Sequence, residues 1–516
     1  MRYFFIIGLS LCGSWPAAAA DRAVSFFAPL VPPRSFAVMA HGGLARLAPE
    51  NTRPAITLCI DDGLEWVEVE VRLTRDNQHV LFGDDRLDGR TSGSGPLKQH
   101  TLEDLQKLDA GGSFARRFAG AKILSLDECL TLAKDKINLC LDCRDVDPKR
   151  LVDQIKAAGM ERQVIVRGDR DRLKHVHELS AGAIAVMPEW NQRHDFPDSL
   201  DELEPAIVEI DAGRISADAC RRLHARGAKV LANARGQHDR AECWDKALAD
   251  GADLIKTDLP EELVVHVVSR HLSPRPVKFA CHRGASRYAP ENTLTAYEKA
   301  YRLGADFVEF DVRPTRDGQY YLLHDGRLDR TTNLKGPIRD AASNLVDAAD
   351  AGSWFGRPFA GTHVPSLDAF LSAVPPGVSL YFDAKDIPPQ ALAAALAKHG
   401  LAERTVVYQG ADYLEKLKPL DARIRLMPPA RSADQVTALA ASLKPYAVDT
   451  PWTVVSRPYI DHCHAAGIAV FADAPFYVDV NGYRRAIECG IDLIQTDHPL
   501  RVWRAMELVA RDRAGR

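Results

Sequence analysis

Seven residues in the second half of the chain are of the types that carry proton-transfer and anion chemistry: His282, Arg283, Glu309, Asp311, His324, Asp383 and Lys385. A histidine gains or loses its proton near neutral pH, so a pair can serve as base for an attacking oxygen and acid for a departing one. Glu309, Asp311 and Asp383 offer only hard oxygen donors, a set that favours Ca²⁺ or Mg²⁺ over Zn²⁺. Arg283 can grip an oxyanion through paired hydrogen bonds, and Lys385 can face it as a point charge. The plainer alternative pairs the carboxylates with Arg283, Arg313 and Lys385 and needs no metal. Three carboxylates brought together repel one another, however, and a divalent cation relieves that repulsion. The trio therefore predicts a metal site.

The elements that must gather these groups are short apolar runs. Side chains alternate across a strand. In 307–312 that puts Glu309 and Asp311 on one face and Val308, Phe310 and Val312 on the other. Ala280 shares a face with His282, Leu322 with His324, and Tyr381 with Asp383 and Lys385. Strand-like runs at 279–282, 307–312, 320–324, 380–383, 405–408, 424–427, 446–449, 469–472 and 493–496 alternate with longer helical stretches. Such alternation predicts an α/β fold, a parallel sheet covered by helices. There are nine runs for the eight places of a (β/α)₈ barrel, so one of the middle runs is expected to be peripheral. If the others are neighbours, the seven groups converge on the C-terminal rim, where barrel active sites lie. Asn292 and Thr293 suit the N-cap of a helix running to Arg302, which Gly304 ends. Residues 325–367 form a long connection expected to sit above the rim as a lid. Its Trp354 and Phe355 either cover a substrate or pack.

The unit is written twice. His41 matches His282, Glu68 matches Glu309, Asp127 matches Asp368 and Asp142 matches Asp383, each pair 241 residues apart; Thr257-Asp258 matches Thr496-Asp497 at 239. A near-constant offset means tandem domains, each about 240 residues, the size of one barrel. The layout reads as signal peptide 1–20, lead 21–36, first barrel 37–272, linker 273–277 and second barrel 278–516. The first unit departs at the chemistry. Gly42 stands for Arg283, Glu70 for Asp311, Arg144 for Lys385 and Gly83 for His324. Glycine exchanges no proton. His79 cannot replace it, because it sits four strand residues back, roughly 13 Å below the rim. This unit is expected to be inactive or severely impaired. Its carboxylates Glu68, Glu70 and Asp142 leave cation binding open.

The chain has 516 residues, 46% hydrophobic and 26% charged, with a formal net charge of −4. That composition is globular. It has no basic bias, so no nucleic-acid partner is expected. No internal apolar run reaches the roughly 18 residues of a membrane span. Arg2, the apolar stretch after it and Ala17–Ala20 before Asp21 have the layout of an export signal, which predicts a periplasmic or secreted protein without a transmembrane segment once the signal is removed. Besides Cys12, nine of the ten cysteines remain. Cys140 and Cys143 form a CxxC, but in the strand-like run 138–143 they face opposite ways, and no second CxxC accompanies them. They read as packed thiols.

The set HRG with PENT, the ExD of Glu309 and Asp311, HD followed by LDRTT, AGSWFGRPFAGTHVPSLDAFL and the closing LIQTDHP resembles the glycerophosphodiester phosphodiesterase family. The likeness covers most of 278–500, with the motifs in order. It implies two tandem TIM barrels. It also implies divalent-metal-dependent hydrolysis of small glycerophosphodiesters to sn-glycerol 3-phosphate and an alcohol. His282 and His324 would be acid and base, Arg283 and Lys385 would hold phosphate, and Glu309, Asp311 and Asp383 would hold the metal. In the family the glycerol hydroxyl attacks phosphorus, and water opens the cyclic phosphate. The match also leans toward Glu291 lying near the metal. Where the family more often has Glu, this chain has Asp383. The runner-up is a barrel resembling the sphingomyelinase D type of phospholipase D. A reading from another class is a non-catalytic binding or scaffold role, above all for the first barrel.

Overall fold

A computed structural model describes residues 25–190 and 202–514. The expected signal segment 1–20 lies outside the described residues. Two nine-stranded sheets are present, one in each half of the chain. In the second, Lys278–Cys281 pairs in parallel with both Phe307–Pro314 and the last strand, Leu493–Thr496. Parallel pairing continues through Ser379–Asp383, Thr405–Tyr408 and Arg425–Met427 on one side, and through Ala469–Asp473 and Ala447–Asp449 on the other. The remaining seam is bridged between Pro429 and Asp449. The first half repeats this order, with its seam bridged between Glu189 and Glu209. These are two nearly closed, parallel eight-stranded barrels in tandem.

The run at 320–324 is the one outside the barrel, not one of the middle runs. Tyr320–Leu322 pairs antiparallel with the far end of Phe307–Pro314, in register Val312↔Leu322. Phe307–Pro314 has eight residues and its parallel neighbour five. The projecting end needs another partner for its backbone groups, and the turn at Thr315–Gly318 supplies one by folding the chain back. Thr315 Oγ1 donates to Asp317 at 2.8 Å, and Gly318 takes φ +78°. His324 therefore stands on the loop after a hairpin, above the rim. His79 is likewise outside the barrel, but it opens the antiparallel strand His79–Leu81 opposite Leu73. It is not below the rim of a parallel strand, but it still cannot serve: its ring is bound to Gln154 at 2.6 Å and to the Asp147 amide at 3.1 Å.

Inside the second barrel, Phe307, Tyr381, Met427 and Phe471 fill the interior beneath the rim. Inside the first, Met39, Trp66, Cys140 and Met187 do so, with Phe26 of the lead edge-on to Trp66 at 4.8 Å. Cys140 faces inward and Cys143 outward into the helix layer. Both are free thiols, as expected. Thr293 caps the helix Leu294–Arg302 through the Ala296 amide. No described helix is long and apolar enough to cross a membrane.

The barrels are joined by buried polar contacts. Asp62 of the first accepts from Arg287 Nε at 2.8 Å and from Tyr288 Oη at 3.0 Å in the second. Lys299 lies between Glu261 and Glu262, and the Arg357 amide donates to the Phe114 carbonyl at 2.8 Å. Removing one partner of a buried pair strands the other charge. Asp62→Ala is therefore expected to cost about 3–5 kcal/mol in chemical denaturation of the full chain. A loss of about 0–1 kcal/mol, as for an exposed pair, would contradict this role.

Candidate active site

The trio assembles through strand register. Asp311 sits opposite Asp383, and Glu309 opposite Tyr381, across one parallel pairing. Ligand oxygens of Glu309, Asp311 and Asp383 all lie within 4.8 Å of one another, and Glu309 and Asp311 are buried. Burial pushes the Glu309 carboxyl well up, and the charges of Asp311 and Asp383 push it further. Burial also raises Asp383. That destabilised cluster fits a divalent cation, which would reverse the repulsion.

Asn292 braces the trio. It takes φ +56°, donates from Nδ2 to Asp311 Oδ2 at 2.9 Å, and its Oδ1 accepts from Tyr297 Oη at 2.8 Å. The preceding Glu291 stands outside the trio. It accepts from Arg283 Nη1 at 3.0 Å and from Arg330 Nη1 at 2.6 Å, so its charge is spent on arginines. Arg283, at φ +55°, donates its amide to Glu309 Oε2 at 2.7 Å, and its Nε lies 3.6 Å from Asp311. Lys385 follows its strand rather than extending it. Nζ still reaches Asp383 at 2.6 Å and Asp311 at 3.2 Å. Both cations are at the rim, where their long side chains can turn to a ligand.

Each histidine is held by a carboxylate through Nδ1. His282 Nδ1 lies 2.8 Å from Asp497 Oδ1, which Ser286 also donates to at 3.1 Å. His324 Nδ1 lies 2.8 Å from Asp325 Oδ1, and Arg330 Nε fixes Asp325 at 2.7 Å. In both rings Nε2 is left for a ligand. His282 lies near enough to Glu309, and His324 near enough to Asp383, to act on those carboxyls, so the pair flanks the trio. Burial opposes charging His282, but the Asp497 hydrogen bond and the Glu309 charge outweigh it and push the ring up to about 9. Asp497 was visible in the repeated Thr-Asp pair, though its bond to His282 was not. Asp497→Asn should lower the His282 pKa and so move the basic limb of the kcat/KM–pH profile to lower pH. An unmoved limb would mean that His282 does not titrate there.

The first barrel is altered more deeply than its missing histidine suggests. Lys256 Nζ is buried on the axis, 2.7 Å from Glu68 and 2.8 Å from Glu209. Arg167 Nη1 lies 3.0 Å from Asp142, which Arg144 also takes at 2.7 Å. Their counterparts in the second barrel are the neutral Gln495 and Tyr408. The cation site left open by three carboxylates is thus filled by protein cations, and among the described residues only the second barrel holds a metal-type cluster. A Cβ on Gly83 would meet Glu70 Oε2 at 2.5 Å, so Glu70 would have to turn aside for any side chain there. His41 is driven down to about 4 by burial and by Arg235, which also takes Asp258 at 3.2 Å. The matched histidines are thus held in opposite charge states.

Trp354 and Phe355 pack rather than cover the rim. Phe355 is buried beneath Arg117 of the first unit, 3.8 Å from its ring centre.

A glycerophosphodiester phosphodiesterase of Bacillus subtilis is 32% identical over 200 residues, 34% of this chain and 68% of that protein. One from Caldanaerobacter subterraneus subsp. tengcongensis is 29% identical over 234 residues, 42% of this chain and 93% of its own. Another Bacillus subtilis protein is 43% identical over 109 residues, and this chain spans only 45% of its length. The crystal structure of glycerophosphodiester phosphodiesterase from Agrobacterium tumefaciens aligns with TM-score 0.41 and 31% identity, over 44% of this chain and 99% of that one. The model of the glycerophosphoryl diester phosphodiesterase family matches residues 41–183 and 282–501, one segment in each barrel, and the chain belongs to that family.

Proposed function

We propose that the second barrel hydrolyses glycerophosphodiesters to sn-glycerol 3-phosphate and an alcohol, and that the first does not turn over. Family membership makes the chain a phosphoric diester hydrolase. The observation that carries the finer reading is the carboxylate trio flanked by two carboxylate-bound histidines at one rim. Glu309, Asp311 and Asp383 would hold Ca²⁺ or Mg²⁺, which supplies Lewis-acid polarisation and charge neutralisation at phosphorus.

The proton transfers are assigned from the held charge of His282. His282, held charged at neutral pH, carries a proton on Nε2 and gives it to the departing alkoxide. His324, with Nδ1 turned to Asp325, presents the Nε2 lone pair and takes the proton of the attacking glycerol hydroxyl. In the second step the roles exchange. His282 takes a proton from water, and His324 returns its own to the glycerol oxygen as the cyclic phosphate opens. Arg283 and Lys385 turn from the carboxylates to the non-bridging oxygens, where they stabilise charge that develops in the transition state. The N-terminal pattern supports export, so we place the reaction in the periplasm or outside the cell.

The test follows both products of glycerophosphocholine. Equal amounts of choline and sn-glycerol 3-phosphate support the reading, and glycerol with phosphocholine would contradict it. Faster choline release from sphingomyelin or lysophospholipid would favour the phospholipase D alternative.

A further inference from the structure

We propose that the first barrel completes the substrate pocket of the second, and that its Arg117 and Arg53 select diesters whose alcohol carries another anionic group. The inference rests on the activity proposed above for the second barrel. A cleft of about 630 Å³ opens between the two units, within the size range of small-molecule sites. His282 and Arg283 line one side; Arg53, Leu58, Arg117 and Phe118 line the other. A molecule whose phosphate sits at His282 would extend its alcohol toward the first barrel.

The electrostatics of that wall point to an anion. Arg117 is solvent-accessible in the cleft and makes no ion pair with any described carboxylate. One Nη donates to the Leu47 carbonyl at 2.9 Å, and the guanidinium lies over the Phe355 ring. A guanidinium without a carboxylate partner keeps its hydrogen-bond donors for an anionic ligand. Arg287, whose task is to join the barrels, has its carboxylate in Asp62; Arg117 does not. Arg53 opens the helix Arg53–Asp61, is exposed and is likewise free of ion pairs among the described residues. The acidic groups of the cleft are already engaged, Glu291 by Arg283 and Arg330, and Asp497 by His282 and Ser286. The alternative is that Arg117 only stacks on Phe355 to hold the barrels together. The two roles differ in what they do to selectivity.

The test compares full-length protein with Arg117→Met and Arg53→Met on two substrates, bis(glycerophospho)glycerol and glycerophosphocholine. Each substitution is expected to lower kcat/KM for the dianionic diester about 10–100-fold, the worth of a lost charged hydrogen bond, mainly through KM. Turnover of the choline diester should stay near that of wild type, and Arg117→Lys should restore part of the selectivity. Equal losses on both substrates, or none on either, overturn the proposal. Arg53 is exposed and its substitution cannot unfold the cleft, so that variant decides if Arg117→Met is unstable. If wild type hydrolyses neither diester, the activity reading fails. Titration calorimetry of the same proteins then reads the cleft directly: tighter wild-type binding of bis(glycerophospho)glycerol that Arg117→Met abolishes supports it, and equal affinities overturn it.

Discussion

Removal of divalent cations should abolish turnover. Dialysis against EDTA is expected to lower glycerophosphodiester hydrolysis by about 10³-fold or more, because a catalytic cation supplies several kcal/mol at about 1.4 kcal/mol per tenfold. Ca²⁺ or Mg²⁺ should restore it. Asp311→Ala should match the loss without recovery on cation addition. The barrel should remain folded, because Asn292, which braces Asp311, keeps its bond to Tyr297. Full turnover in excess EDTA would count against the trio as a metal site and return Arg283 and Lys385 to the role of plain ion-pair partners.

The second large effect belongs to the histidines. His282→Ala and His324→Ala should each cost about 10²–10⁴ in kcat, the range for a lost general acid or base. The two proposed roles differ in what they demand of the substrate. His282 is held charged by Asp497, so its loss should weigh most on substrates with a poor leaving alcohol, which need the proton most. A nitrophenyl leaving group needs little protonation and should rescue His282→Ala more than His324→Ala. Equal rescue of both would contradict the assignment. If either variant keeps near wild-type kcat, that ring is structural.

Much of this was legible in the sequence because it repeats and alternates. The offset of 241 exposes two units, alternation places Glu309 with Asp311, and helical stretches between apolar runs imply parallel barrels. The run 320–324 was misplaced because a three-residue hairpin partner and a barrel strand have the same period; only the extra length of Phe307–Pro314 tells them apart. Lys256 and Arg167 escaped notice for a different reason. Each lies inside an apolar run, and nothing local says that its side chain turns inward to replace a metal. Asp497 and Glu291 were read as motif members, while their partners His282, Arg283 and Arg330 are known only once loops from different strands meet. The contacts of Asp62 and Arg117 across the two barrels have no periodic signature at all.

The central claim is that one barrel of this fused pair does the chemistry. The most direct measurement is sn-glycerol 3-phosphate release by full-length His41→Ala and His324→Ala side by side, with cation in excess. His41→Ala should keep near wild-type turnover, since its ring is held uncharged beside carboxylates that Lys256 and Arg235 already occupy. His324→Ala should fall by about 10²–10⁴. A large loss in His41→Ala, or substantial turnover remaining in His324→Ala, would contradict the account.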